Sequence, residues 1–276
     1  MNYSINIKGT LIDITYPKIM GILNATPDSF SDGGRFNAVD SAITQAQKMV
    51  DDGASFIDIG GYSSRPGADF VSVDEEINRV VPIIEAIASR IDVPISIDTF
   101  RSDVVKEAEK AGAVIVNDIS AGDDDAEMIK TVASLKMPFI AMHKKGNPKT
   151  MQNNPQYDSV LNEVKQYLLK KREECYNAGI LDFIIDPGFG FGKSINHNYT
   201  LLMELAQFKL LEVPILVGIS RKSMIYKALK SNPEKALNGT TFLHSYALQS
   251  GANILRVHDV KEARECIVLW RKFSGE

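Results

Sequence analysis

The chain has 276 residues, 44% apolar and 24% charged, which is enough to bury one large core. Its net charge of −4 gives no reason to expect nucleic acid or an anionic membrane as partner, while a local basic site for an anionic substrate stays compatible with it. No apolar run approaches the length of a membrane helix, residues 2–13 alternate instead of forming a signal-peptide block, and the two distant cysteines, Cys175 and Cys266, make no CxxC, so a reducing cytoplasm is expected.

In chain order, residues 3–7 and 11–15 read as a small hairpin around Lys8-Gly9-Thr10, within an N-terminal segment 1–17 expected to plug the bottom of the main fold. Residues 19–23 form a buried apolar strand that runs into Asn24 and the polar, glycine-bearing loop Ser29-Phe30-Ser31-Asp32-Gly33-Gly34. Glycine there gives backbone access and the short polar side chains give contacts, a composition suited to holding a ligand. Residues 40–50 are amphipathic with Gly53 as a stop, and residues 56–60 are the next strand. Residues 73–90 predict a helix with Ile77, Val80, Val81, Ile84 and Ile87 on one face. Ser72 and Glu75 have capping-box spacing, and Pro82 is expected to kink or shorten the helix.

Further short apolar runs follow at 94–97, 114–116, 138–142, 183–185, 214–219 and 254–257. Between them lie helical patterns at 126–135, 158–178 (closing at Gly179), 223–230 and 234–249. The β-branched content and short length of the apolar runs favour strands, and their near-continuous hydrophobicity suits parallel strands covered on both faces. Eight such units with right-handed crossovers predict one (β/α)8 barrel domain over 1–276. A doubly wound open sheet is the weaker alternative, because no GxGxxG follows the first strand.

Ligand-binding residues of such barrels sit at the C-terminal strand ends. Here those ends hold Asn24, Asp58, Asp98, Asn117-Asp118, His143, Asp186, Ser220-Arg221-Lys222 and Arg256-Val257-His258-Asp259. One such residue alone is more often a helix cap, but polar groups at eight ends outrun that explanation. Asp98, Asn117 and Asp186 supply acceptors and an amide for a neutral heterocycle. Asn24, Ser64, Arg256 and His258 suit an oxyanion. The implied ligand is part flat ring, part phosphate.

The same residues carry a family resemblance. Residues 22–34 read ILNATPDSFSDGG and 58–67 read DIGGYSSRPG. SIDT (96–99), VND (116–118), Met142-His143, DPGFGFGK (186–193), GISRKS (218–223) and RVHD (256–259) complete the set. In this joint order, over roughly residues 19 to 260, the chain resembles dihydropteroate synthases. The resemblance implies condensation of 6-hydroxymethyl-7,8-dihydropterin diphosphate with 4-aminobenzoate to 7,8-dihydropteroate and diphosphate, in folate synthesis. It implies Mg2+ as cofactor, sulfonamides as inhibitors, small molecules as ligands and a homodimer through the last outer helices.

By the same resemblance Asp98, Asn117, Asp186 and Met142 hold the pterin with Lys222 beside it, and Asp98, Asp186 and Lys222 serve the chemistry. Asn24, Ser64, Arg256 and His258 hold the diphosphate, with Asn24 also the Mg2+ contact. Phe30, Ser31, Pro66 and Phe189 wall the aminobenzoate site, and Ser223 lies near its carboxylate. Diphosphate departs early, leaving a resonance-stabilised pterin cation, and no covalent nucleophile is needed. Gly33, Gly34 and Gly67 make the first two loops candidate lids.

Several residues carry plainer readings. Arg65 pairs with aminobenzoate or fixes its loop. Lys193 lacks Walker A spacing. His197 and His244 read as surface or packing residues, His143 stays open between that reading and a functional one, and Lys144-Lys145 reads as a solvated loop. One departure stands out: Tyr62 and Ser64 replace the Glu and Thr of the family's usual GGESTRPG, which puts the local contacts of this loop in question. The alternatives are a pterin-binding methyltransferase domain serving a corrinoid protein and a non-enzymatic barrel. The first does not need residues 220–223, the SFSDGG loop or RVHD; the second sits badly with intact Asp98, Lys222 and Arg256.

Overall fold

A computed structural model describes residues 3–25, 34–62, 71–146 and 150–275, with side chains of the first helix from residue 38 onward. The chain opens with the expected hairpin. Strands β1 (Ser4–Ile7) and β2 (Thr10–Asp13) pair antiparallel. Lys8 and Gly9 between them both take positive φ (49° and 90°), as a two-residue turn matched to strand twist requires.

Eight parallel strands follow: β3 (Lys18–Asn24), β4 (Phe56–Gly60), β5 (Ile95–Asp98), β6 (Ile115–Asp118), β7 (Phe139–Met142), β8 (Phe183–Asp186), β9 (Leu216–Val217) and β10 (Ile254–Val257). They are hydrogen-bonded in the order β8-β7-β6-β5-β4-β3-β10-β9. The parallel bridge Ile185–Ile215 then joins β8 to the residues leading into β9, closing the barrel. This seam is the thinnest part of the wall, and the six-residue run expected at 214–219 is reduced to a two-residue strand.

The outer layer comprises α1 (Gly34–Asp52), α2 (Val73–Ala88), α3 (Ser102–Ala111), α4 (Met128–Leu135), α5 (Val160–Ala178), α6 (Ile195–Met203), α7 (Ser223–Tyr226), α8 (Leu237–Ser250) and α9 (Val260–Phe273). Ser72 caps α2 through the Glu75 amide as its spacing predicts. Pro82 does not end the helix. It lies on the exposed face, where the carbonyl it leaves unpaired can meet water. Helix 158–178 appears as α5, stopped by Gly179 in the left-handed conformation. The helix expected at 223–230 shortens to the single turn of α7.

Two apolar clusters show how strand parity builds the site. Ile57, Ile59, Ile97, Val116, Phe139, Ile185, Val217 and Leu255 face outward into the cluster that receives the helices. Met20, Phe56, Ile115, Ile140, Ile184, Leu216 and Ile254 face inward with Ile5, Ile7 and Ile14 of the hairpin segment. The hairpin therefore plugs the bottom of the barrel. Two residues along from that inward layer, on the same face, come Ile22, Asp58, Asn117, Met142, Asp186, Gly218 and Arg256. The inward parity is apolar below and mostly polar above.

Candidate active site

The polar upper layer is knitted across the barrel. Asp58 is fully buried on β4. Its Oδ2 accepts from Asn117 Nδ2 at 3.0 Å and from Arg256 Nε at 2.6 Å. Arg256 Nη2 reaches on to Asp98 Oδ2 at 2.5 Å. Three strands that are distant in sequence thus meet at one guanidinium. Two glycines keep the space around it open. A Cβ on Gly60 would lie 3.4 Å from Asp98 Cβ, and one on Gly218 would lie 3.8 Å from both Asp186 Oδ2 and Lys222 Nζ.

Asp186 ends β8 and accepts from the Gly188 amide at 2.7 Å. Lys222 Nζ donates to the Phe189 carbonyl at 2.5 Å and stands 4.7 Å from the centre of the Phe191 ring. Phe189 itself is fully buried within the outward core cluster. His258 follows β10; its Nδ1 lies 3.1 Å from Ser220 Oγ, and its amide donates to that same oxygen. Asn24 is half-buried at the end of β3, Met142 is buried at the end of β7, and Ser223 opens α7. Phe30, Ser31, Ser64, Arg65 and Pro66 lie outside the described residues.

Burial shapes the titration of this layer. It pushes the Asp98 carboxyl up to about 7, against the pull of Arg256 and with help from the Asp58 charge. Asp186 also moves up through burial, with Lys222 opposing. Burial brings the Lys222 ammonium down to about 8, with Asp186 opposing. The Arg256 guanidinium is raised despite burial, because Asp58 and Asp98 both stabilise its charge. Two carboxyls pushed up and one amine pushed down at the same end of the barrel mark a candidate chemical site.

Other strand-end residues turn out to be scaffolding. Asp118 faces the turn after β6, where it accepts from Ser120 N, Ser120 Oγ and Gly122 N, each at 2.7 Å. Arg221 forms a two-pronged pair with Asp259, 2.8 Å from Nε and 2.6 Å from Nη2. Lys193 is buried and donates to the carbonyls of His143 (3.2 Å), Gly188 (2.9 Å) and Phe191 (3.1 Å), with His143 Nδ1 at 2.9 Å. This settles His143 as a buried packing group whose protonation is pushed down by burial to about 2. Lys144 departs from its expected solvated role: its side chain is largely buried and pairs with Asp124. His197 completes the capping box of α6 with Ser194, and His244 is buried in packing.

Tyr62 finds contacts of its own. Its ring meets Phe100 edge-on at 5.3 Å, and the Arg101 guanidinium lies over both rings. Arg101 also bonds Glu76 Oε2 (2.7 Å) and the Val71 carbonyl (2.6 Å), while Arg79 reaches the Gly61 carbonyl (3.1 Å). Both roots of the second loop are anchored by arginines. Sequence reasoning gave no role to Glu76 or Arg101, and it placed Asp58 at a strand end without assigning it one. Only the inward parity of Asp58 marked it.

Comparison with known proteins agrees with this geometry. The family model for "Pterin binding enzyme" matches residues 20–258. The dihydropteroate synthase of Escherichia coli K12 is 47% identical over 262 residues, covering 94% of this chain and 93% of that one. The crystal structure of Yersinia pestis dihydropteroate synthase with a sulfonamide drug complex superposes with a TM-score of 0.93 at 42% identity, covering 99% of this chain and 100% of that one. Xanthomonas albilineans dihydropteroate synthase with 4-aminobenzoic acid gives 0.93 at 38% identity, covering all of both chains. A chain that matches the pterin-binding model over residues 20–258 and dihydropteroate synthases at this identity over nearly its full length belongs to the pterin-binding enzymes, among the dihydropteroate synthases.

Proposed function

We propose that the barrel mouth condenses 6-hydroxymethyl-7,8-dihydropterin diphosphate with 4-aminobenzoate. The observation that carries this reading is the convergence of Asp98, Asn117, Asp186, Lys222 and Arg256 at one end of the barrel. Carboxylates and an amide oxygen there accept from the ring N–H and amino groups of a pterin. Arg256 and His258, with Ser64 of the second loop, are the proposed diphosphate contacts. The bond between the pterin methylene carbon and the diphosphate oxygen breaks, and its electron pair leaves on the diphosphate. The arylamine nitrogen then gives its lone pair to that carbon and releases one proton. Asp98 and Asp186 stabilise the electron-poor ring as the anion departs, and Arg256 stabilises the anion, so charge is balanced on both sides of one breaking bond. Both cysteines are buried free thiols outside this layer, and no covalent intermediate is invoked.

Among the described residues no group of three or more His, Cys, Asp or Glu could cage a metal ion. The Asn24 amide oxygen is the one oxygen donor the resemblance assigns, and this fits Mg2+, which commonly completes its shell with substrate phosphate oxygens and water. Bound there, Mg2+ supplies positive charge against the departing diphosphate. Phe30, Pro66 and Ser223 are the proposed aminobenzoate contacts; Phe189, expected beside them, is instead fully buried in the outward core cluster. Sulfonamide sensitivity and a reducing cytoplasmic setting belong to the same reading, the latter supported by the two unpaired thiols. No helix among the described residues is long and apolar enough to cross a membrane.

A homodimer is proposed through α8 and α9. Their outer faces form a cleft lined by Leu237, Phe242, Tyr246, Leu269, Trp270 and Phe273. Phe242, Leu269 and Phe273 are 71, 70 and 87% exposed, a large apolar patch for a lone chain. Light scattering should give twice the chain mass, and Phe242→Asp should give the single-chain mass; an unchanged mass for the variant would place the contact elsewhere.

The direct test of the reaction mixes the protein with the dihydropterin diphosphate, 4-aminobenzoate and Mg2+, beside a control without aminobenzoate. Dihydropteroate that depends on aminobenzoate is the expected result. Pterin binding without product would favour a methyltransferase-type or non-enzymatic barrel.

A further inference from the structure

Asp58 is a carboxylate with no access to solvent, on the same inward parity as Asn117, Asp186 and Arg256. A buried charge of this kind is costly unless its bonds are complete. Here they are not: Oδ2 accepts from Asn117 and Arg256, while Oδ1 has no hydrogen-bond partner among the described residues. Its neighbour in register, Ser96 on β5, has an unpartnered buried hydroxyl as well. Stability alone gives no reason for an incompletely bonded carboxylate in the middle of a barrel. What Asp58 does hold is two substrate-facing groups at once.

We infer that Asp58 is a positioning residue for the pterin half of the site, fixing the direction of the Asn117 amide and the seat of the Arg256 guanidinium without touching substrate. The inference rests on the functional reading above. An asparagine amide has a donor end and an acceptor end, and only the hydrogen-bond network decides which faces the ligand. Because Asn117 Nδ2 donates one of its two hydrogens to Asp58, its oxygen is the end turned away from Asp58. A carboxylate cannot donate, so Asp58 excludes the flipped amide. It also takes Arg256 through Nε, leaving Nη2 for Asp98. The guanidinium is therefore held edge-on between a lower and an upper carboxylate. A neutral amide at position 58 would remove one charge and allow either orientation of Asn117.

The effect extends to proton binding. Charged groups act on Asp98 from each surrounding element: Arg256 on β10, Asp58 on β4, Glu76 on α2, Asp118 on β6 and Lys222 ahead of α7. The Asp58 charge is among those that push the Asp98 carboxyl up, so its removal lets Asp98 ionise at lower pH.

The test is Asp58→Asn in the full chain. Loss of a hydrogen bond to a charged group should raise KM for the dihydropterin diphosphate, and weaken binding of 6-hydroxymethylpterin, by about tenfold or more. KM for 4-aminobenzoate should stay within about twofold, since that substrate lies outside the contacts Asp58 controls. The acidic limb of kcat/KM should move to lower pH, a readout that general loosening of the barrel would not produce. The exchange Asp58→Asn with Asn117→Asp keeps the pair's hydrogen bond and total charge and restores an acceptor to the mouth, so it should recover pterin binding, and it serves if the single variant fails to fold. Equal losses for both substrates with an unmoved pH limb, or an exchange variant no better than the single one, would overturn the inference. A wild-type protein that binds no 6-hydroxymethylpterin would overturn the functional reading as well, whereas a wild type that binds it beside an unaffected Asp58→Asn would overturn this inference alone.

Discussion

At the scale of the residue, Asp98 carries opposing demands. In an unfolded chain its carboxyl would titrate near the usual aspartate value; buried in the mouth it titrates near 7. Between those two values the folded protein holds a proton that the unfolded chain does not. Stability therefore falls as pH rises through that window. Activity runs the other way, because the ring needs the ionised form as electron-rich acceptor. kcat/KM for the dihydropterin diphosphate should thus fall as pH drops below about 7 while the protein becomes harder to unfold. Asp98→Asn should bind pterin more weakly and lose both trends together. Measuring kcat/KM and urea midpoints across pH 5–8 checks this, and an acid limb that survives Asp98→Asn would assign it to another group such as Asp186, also moved up by burial. Asp98 was legible from sequence because an acid at the end of an apolar run is conspicuous. Its bond to Arg256, 158 positions away, was not, since only barrel closure brings the two ends together.

At the scale of the element, the turn from β8 to α6 shows how loops are held in place under the chemistry. Gly188 has φ of 72°, and a Cβ there would stand 1.9 Å from the His143 carbonyl oxygen. That close approach lets the buried Lys193 Nζ bond the carbonyls of both residues, tying the end of β7 to the loop that carries Phe189. Gly188→Ala must break the approach as well as strain the backbone. It should cost at least ~2 kcal/mol in urea unfolding and raise KM for both substrates. A stability loss with unchanged KM values would show that the loop does not set the site. In sequence, GFGFGK invites a phosphate-loop reading; the missing Walker spacing argued against it, and the structure gives Lys193 an internal bonding role instead. Strand positions and helices α2, α5 and α8 were readable from periodicity. Helices α3 and α6 were not assigned from the sequence. Helix α9 was passed over although Val260, Ala263, Cys266 and Ile267 mark its buried face. The two-residue β9 fell short of its expected run, because closure at the seam rests on one bridge instead of a ladder.

At the scale of the whole molecule, stability and chemistry occupy opposite ends of one barrel. The same inward parity that gives Asp58, Asn117 and Arg256 above gives Phe56, Ile115 and Ile254 below, sealed by Ile5, Ile7 and Ile14. The hairpin was legible as two alternating runs around a glycine turn. Its partners were not, because packing against seven different strands leaves no local mark. This division makes a prediction that separates folding from function. Ile5 is essentially fully buried in the bottom cluster. Ile5→Ala leaves a cavity among large aliphatic neighbours and should cost about 2–5 kcal/mol in unfolding free energy. The mouth lies at the far end of the strands, so kcat and both KM values, normalised to folded protein well below the lowered midpoint, should match the wild type. If instead KM for the pterin substrate rose in step with the loss of stability, the lower layer would be setting the geometry of the upper one through the strands, and the barrel would have to be treated as a single mechanical unit.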